Sequence, residues 1–336
     1  MDALLAVPLR LWLLVVLCAT GFALLWWSTL GRGRWQRRRA LRQRLSRLGS
    51  GTGPIRPNAL PALPNVADPH HGRWLLMGNA AAGMRGLLEG GDAVPLSSAG
   101  ADALWQIWTR PGLTLVALNP AVIEDVHSTT MRGLWLRGLM ALAEHRPSLP
   151  LNGIVVCVDA ETLAQSSAAA LSLLATEAAE LLRLELPVQV VVTGLEHWPG
   201  HAEVCAALPT AALAQVIGHR LAPQDTTDSS AAERLDALFA PLSQRLQALG
   251  MSLLRVHSEP AAQWGVHRWV AQSIALQPGL RRLAEQMFRD SSGLQWRGLY
   301  LTAAASPAGP AAFTTDLFRR FLPEDQPLAR GRRAER

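Results

Sequence analysis

The residues best placed to do chemistry lie between Arg73 and Leu88, in the stretch RWLLMGNAAAGMRGLL. An apolar run from Trp74 to Met77 enters Gly78, a second glycine follows at Gly83, and Leu87 and Leu88 start a helical pattern. Strand, Gly-x-x-x-x-Gly and helix N-terminus is the layout of a loop that cradles phosphates with its backbone N–H groups. Two further residues carry the reactivity of such a loop: a lysine for the outer phosphates, then a Ser or Thr hydroxyl for magnesium. Here they are Met84 and Arg85. Met84 supplies neither group, and Arg85 brings its charge one position late. None of the 32 basic residues is a lysine, so no lysine elsewhere can stand in. The spacing predicts a nucleotide-hydrolase fold without its chemistry.

The other candidates are weaker. His197 and His201 (HWPGH) stand four apart, a zinc-pair spacing on a helix, but Pro199 and Gly200 interrupt the helix and no H-E-x-x-H glutamate is present. Loop contacts are the expectation there. Asp159, Glu161, Glu124 and Asp125 lie near strand ends, where open α/β sheets place ligands. Capping of the following helices is the simpler role for them. His70 and His71 sit at the end of a linker, with no chemistry expected. No Gly-x-Ser-x-Gly elbow and no familiar Cys–His spacing occurs. Cys18, Cys157 and Cys205 are too scattered for a disulfide framework or a zinc pattern. The reading is therefore no catalytic residue, no metal and no cofactor. The tryptophans at 105, 108, 135, 198, 264, 269 and 296 read as core or partner surface.

The elements that would position the loop read as α/β. Apolar β-type runs fall at 74–78, 105–109, 113–118, 153–159, 188–193, 251–257 and 296–302, with helical patterns at 130–145, 160–184, 231–249 and 260–288. Strands alternating with helices predict a mainly parallel sheet with helices on both faces. An antiparallel pair over 105–118, turning at Arg110-Pro111-Gly112, would form one sheet edge. The divisions are an N-terminal membrane anchor (1–30), a basic juxtamembrane helix (31–48), a Gly/Pro-rich linker (49–72), a globular domain (73–325) and a basic tail (326–336).

Leu11 to Leu30 is twenty residues without a charge, about the length of a bilayer-spanning helix, with tryptophans near both ends. A cleaved signal peptide fits less well, because the positive charge follows the apolar run. By the positive-inside rule the C-terminal side is cytoplasmic. Residues 31–48 carry eight arginines and no acid, so of the net charge of +6 the remainder of the chain holds −2 (6 − 8). Leu41, Leu45 and Leu48 make a narrow stripe in that segment, which reads as a helix on anionic inner-leaflet lipid. No aromatic platform accompanies it, which argues against nucleic acid.

From His145 the text becomes specific. HRPSLPLNGIVVCVDAETL (145–163) resembles the HRP-x-x-P-I-N-G-V-I-L segment of the IcmF/TssM family, inner-membrane components of type VI secretion systems. LPVQVVVTGLEHWPG (186–200), WRGLYLTAA (296–304) and DLFRRFLPED (316–325) resemble further family segments in the same order. With the loop, the resemblance covers 73–325 and implies a GTPase-like cytoplasmic domain. Against the family pattern, Met84-Arg85 replace Gly-Lys-Thr positions of the loop. Leu118 or Asn119 stands where an Asp closes the second motif. In the base-reading T-K-x-D segment Thr193 is kept, Gly194 replaces the lysine, and Glu196 keeps a carboxylate. Family members continue into a further span and a periplasmic region, so the resemblance implies a short form. It also implies a pseudo-NTPase scaffold that docks other inner-membrane and baseplate components, with oligomers compatible. A nucleotide-binding or weakly active NTPase is the alternative.

Overall fold

The computed structural model describes residues 9–26, 32–47, 59–64, 68, 70–96, 100, 102–163, 168–222, 229–289, 293–307 and 309–332. The remaining parts of the expected linker and tail lie outside the described residues. In chain order the elements are α1 (Leu9–Trp26), α2 (Arg32–Arg47), β1 (Gly72–Met77), α3 (Met84–Gly90), β2 (Val94–Pro95), β3 (Trp105–Arg110), β4 (Leu113–Leu118), α4 (Pro120–Glu124), α5 (Thr129–His145), β5 (Gly153–Asp159) and α6 (Ala169–Leu182). They continue with β6 (Leu184–Thr193), α7 (His201–Ala207), α8 (Thr210–Leu213), β7 (Ile217–Arg220), α9 (Ala231–Val256), α10 (Pro260–Ala275), α11 (Gln277–Phe288), β8 (Leu294–Leu301), α12 (Leu322–Asp325) and β9 (Arg330–Gly331).

The fold is mixed α/β, with one mostly parallel sheet ordered β2-β3-β4-β1-β5-β6-β8-β7 and β9 pairing the start of β6. Strands β4, β1, β5, β6 and β8 run parallel, and the expected antiparallel β3–β4 pair lies near one edge, extended by β2. The central strands are buried along their whole length because both faces are covered. Side chains alternate between two cores. Leu75, Met77, Ile154 and Val156 meet the α5, α6 and α9–α11 side, whereas Trp74, Leu76, Val155 and Cys157 meet α3 and Leu317, Phe318 and Leu322 of the C-terminal segment.

Two of these expectations are corrected. Residues 251–257 form no strand; α9 runs through Val256, because Leu246, Gly250 and Leu253 continue its buried row at i, i+4, i+7. The antiparallel strand beside β8 is instead β7, at Ile217–Arg220. The expected helix over 260–288 is two helices, broken at Leu276 with Pro278 in the first turn of the second. Among the described residues no helix is long and apolar enough to cross a membrane. Helix α1 has 18 residues, and residues 27–30 of the expected twenty-residue span lie outside the described residues. Its described side chains, 12–24, are all exposed.

The basic helix α2 is present, and its stripe faces protein: Leu41 is fully buried and Leu45 packs against the core over α5 and α6. Arg37 Nη1 donates to the Pro147 carbonyl at 2.8 Å. Arg44 reaches the buried Glu177, which also takes a two-pronged contact from Arg132 (2.6 and 2.8 Å) and the Trp135 indole N–H (2.9 Å). Residues 59–64 are also held down, with Leu104 N donating to Ala59 O and Trp105 Nε1 to Pro61 O.

The HRPSLPLN segment closes the starting end of the parallel strands. Asn152 Oδ1 accepts from Arg73 N (2.9 Å) and from Arg146 Nη1 (3.0 Å), and His145 Nδ1 accepts from Arg73 Nη2 (3.0 Å). The other closing segments meet at Asp325, a buried carboxylate that takes Arg297, Arg220 and Gln189 Nε2.

Replacing Glu177 by Ala strands Arg132 and the Trp135 N–H in a buried setting. The expected loss is about 3 kcal/mol in denaturant unfolding, and a loss below 1 kcal/mol would reduce this node to a surface pair. A pH effect follows from His71 and His145, whose pKa values burial lowers. Both are harder to protonate in the fold than in the unfolded chain, so their contribution is complete above the unfolded pKa of about 6.5 and is lost as pH falls below it. The unfolding midpoint should drop between about pH 7 and 5, less steeply in His145→Gln; equal slopes in the two proteins would count against His145.

Candidate functional site

The loop after β1 sits at the finishing ends of the parallel strands, where α/β sheets bind ligands. Its internal geometry is set by its own polar groups. Residues Ala80–Ala82 form a tight 3-10 turn capped by Asn79. Ala82 N donates to both Asn79 O and Asn79 Oδ1 at 3.1 Å, and Gly83 N donates to Ala80 O. Two amides that would face an anion are therefore bonded inside the loop. Gly78 is needed for close approach: a Cβ there would stand 2.9 Å from Ala82 Cβ and from the Cys157 carbonyl.

Met84 and Arg85 then part ways. Met84 is buried against Leu88 and Trp108 in the α3-side core. Arg85 points to solvent, with 80% of its side chain exposed, and pairs with Glu89 one turn on at 2.8 Å. Beside them lies an open hollow of about 310 Å³ bordered by Asn79, Met84, Gln106, Trp108 and Asn119.

The second nucleotide element is equally committed to structure. Leu118 is buried. Asn119 Oδ1 caps α4 by accepting from Ala121 N, and its Nδ2 donates to Ala103 O. In the third element Thr193 Oγ1 donates to Ala82 O at 2.8 Å, tying β6 to the loop. Gly194 has φ +86°, and a Cβ there would overlap Asp159 Oδ1. Glu196 is mostly buried and accepts from Ala304 N at 3.0 Å. Loop and base-reading segment are thus brought together through structural bonds.

Among the remaining candidates, Asp159 caps its own turn by accepting from Thr162 N, and Glu161 is exposed. Glu124 and Asp125 do not cap a following helix as expected; they lie exposed at the end of α4. His197 lies in a 3-10 turn and His201 opens α7, so the two do not share a helix. His201 Nε2 is 3.4 Å from Cys205 Sγ, with burial lowering the imidazole pKa and pushing the thiol up to about 11. A neutral thiol beside a neutral imidazole is no nucleophile at neutral pH. Among the described residues no three His, Cys, Asp or Glu converge as a metal site. Trp105, Trp108, Trp135, Trp198, Trp269 and Trp296 are buried, and Trp264 is exposed. Sequence reasoning missed Glu177, Asn152 and Asp325; the one signal for them was polarity within otherwise apolar elements.

A family model described as the IcmF-related N-terminal domain matches residues 128–311, more than half of the chain. The match contains the HRP, base-reading and WRGLYL segments and leaves the 78–85 loop outside it. No curated protein and no solved structure matches the chain.

Putting the motif residues back should damage the fold. Gly194→Lys is expected to cost about 2 kcal/mol through left-handed strain and contact with Asp159, and Met84→Lys a similar amount by burying an unpaired charge. Denaturant unfolding measures both. Variants as stable as the parent would show that the backbone does accommodate the missing lysines.

Proposed function

The chain belongs to the IcmF/TssM family, and from that premise we propose that it is a catalytically silent, GTPase-like docking platform of a type VI secretion membrane complex. Family members are associated with the inner membrane, and α1 followed by the arginine-rich α2 supports a single-pass anchor with the α/β domain on the cytoplasmic side. The partners in this reading are other inner-membrane and baseplate components, by family analogy.

One observation carries the silent reading. In each of the three nucleotide elements polar groups are bonded to the protein itself: Ala82 and Gly83 N–H to the loop, Asn119 to α4, and Glu196 to Ala304 N. An incoming phosphate or base would have to break those bonds before making its own, and the magnesium ligand and outer-phosphate lysine are absent from the sequence. Arg85 is a poor substitute, because a guanidinium fork differs in shape from an ammonium and this one is paired to Glu89.

Calorimetric titration of GTP and ATP with magnesium into the full chain tests this reading. No heat at millimolar nucleotide is the expected outcome. Micromolar binding would overturn it in favour of a nucleotide-binding subunit, and phosphate release would establish a weak NTPase.

A further inference from the structure

Helix α2 carries eight arginines and no acidic residue, and it begins six positions after α1 ends. Its inward side is already occupied. Leu41 and Leu45 pack on the domain, Arg37 bonds to Pro147 O, and Arg44 meets Glu177. Arg38, Arg39, Arg42, Gln43 and Ser46 are exposed. Arg38 has only a long 3.9 Å contact with the half-exposed Glu144.

We infer that this exposed face of α2 rests on anionic lipid headgroups, with Arg42 at a phosphate, so that α2 is a rigid brace between bilayer and domain. This rests on the anchor reading of α1 above. An amphipathic helix lying alone on a membrane would put its leucines into the acyl region; here protein holds the leucines, so the contact is by charge alone. The partner is fixed by charge and position: eight guanidinium groups within sixteen residues, with no acid among them, follow an apolar helix, where on the anchor reading a leaflet of phosphate esters is the nearest surface. Each such arginine strengthens surface attachment by about fivefold.

The brace also sets orientation. Contacts of Arg37 with Pro147 and Arg38 with Glu144 at one end, and Arg44 with Glu177 beside Arg132 at the other, lay α2 antiparallel to α5. From the bilayer outward the layers are then α2, α5 with α6, the sheet, and α3 with the C-terminal segment. The α3 side, with the hollow beside Met84, is the side turned away from the membrane and open to soluble partners.

The test uses the full chain with Cys18→Ser, leaving the buried Cys157 and Cys205, and a nitroxide attached at Gln43→Cys or at Phe22→Cys. Each protein is placed in nanodiscs of phosphatidylcholine with or without phosphatidylglycerol, and label depth is read from collisional relaxation. The expected result is a position-43 label at headgroup depth only with phosphatidylglycerol, moved toward water by high salt. Arg42→Gln should reduce that population by about fivefold without changing protein stability. A position-22 label among acyl chains with position 43 in water would overturn the brace and leave the anchor standing. A position-22 label in water would overturn the anchor reading itself. Headgroup depth at position 43 that is indifferent to lipid charge and to Arg42 would overturn the charge-based contact.

Discussion

The structure depends on how the starting ends of β1 and β5 are closed, and Asn152 closes them. Its side-chain oxygen takes the Arg73 amide and one prong of Arg146, while its own amide donates to Arg73 O at 2.7 Å. Buried backbone groups must be paired, and here one side-chain amide takes the place of a missing strand neighbour just before the β1–β5 ladder begins at Trp74 and Gly153. The same junction receives the end of α5 through His145 and Arg146 and the end of α2 through Arg37. A single loop therefore aligns two central strands and two helices.

The opposite end of the sheet obeys the same rule with a different result. A phosphate loop normally leaves its amides for the ligand, and so requires the ligand to satisfy them. In this chain the 3-10 turn and the Asn79 cap take the Ala82 and Gly83 amides, and Thr193 takes the Ala82 carbonyl. Loss of the lysine at position 84 then has a structural counterpart, because Met84 fills the α3-side core beside Trp108. The loop and the base-reading segment are therefore one arrangement, linked through Thr193 to Ala82.

What was legible in the sequence was what periodicity and turn chemistry encode. The continuous apolar runs LTLVAL and GIVVCV could only be doubly covered strands, and Arg110-Pro111-Gly112 could only be a tight turn. MSLLRVH was misread because a short apolar run looks alike in a strand and in a long helix; only the buried row from Leu235 onward decides it. IGHR was missed because a four-residue edge strand with half-buried side chains carries little pattern. The stripe of α2 was visible, but not whether protein or lipid covers it: that depends on α5 and α6, more than eighty residues away in sequence. Glu177 lay hidden for the same reason, since a lone glutamate in an alanine-rich helix reads as solvent-facing until Arg44 and Arg132 are brought to it.

Arginine in place of lysine throughout the chain has consequences beyond the loop. At each tertiary junction one guanidinium bridges groups that a point charge would serve less well. Arg132 grips both oxygens of Glu177, Arg73 reaches His145 with one prong and the Pro150 carbonyl with the other, and Arg220 spans Glu324 and Asp325. A planar fork with five donors suits such junctions, whereas a lysine would satisfy one acceptor and keep its hydration shell. The P-loop position asks for the reverse, a compact charge on a flexible stem. A chain built wholly on guanidinium forks can hold this fold together at every node and still lack the one ammonium that phosphate chemistry requires.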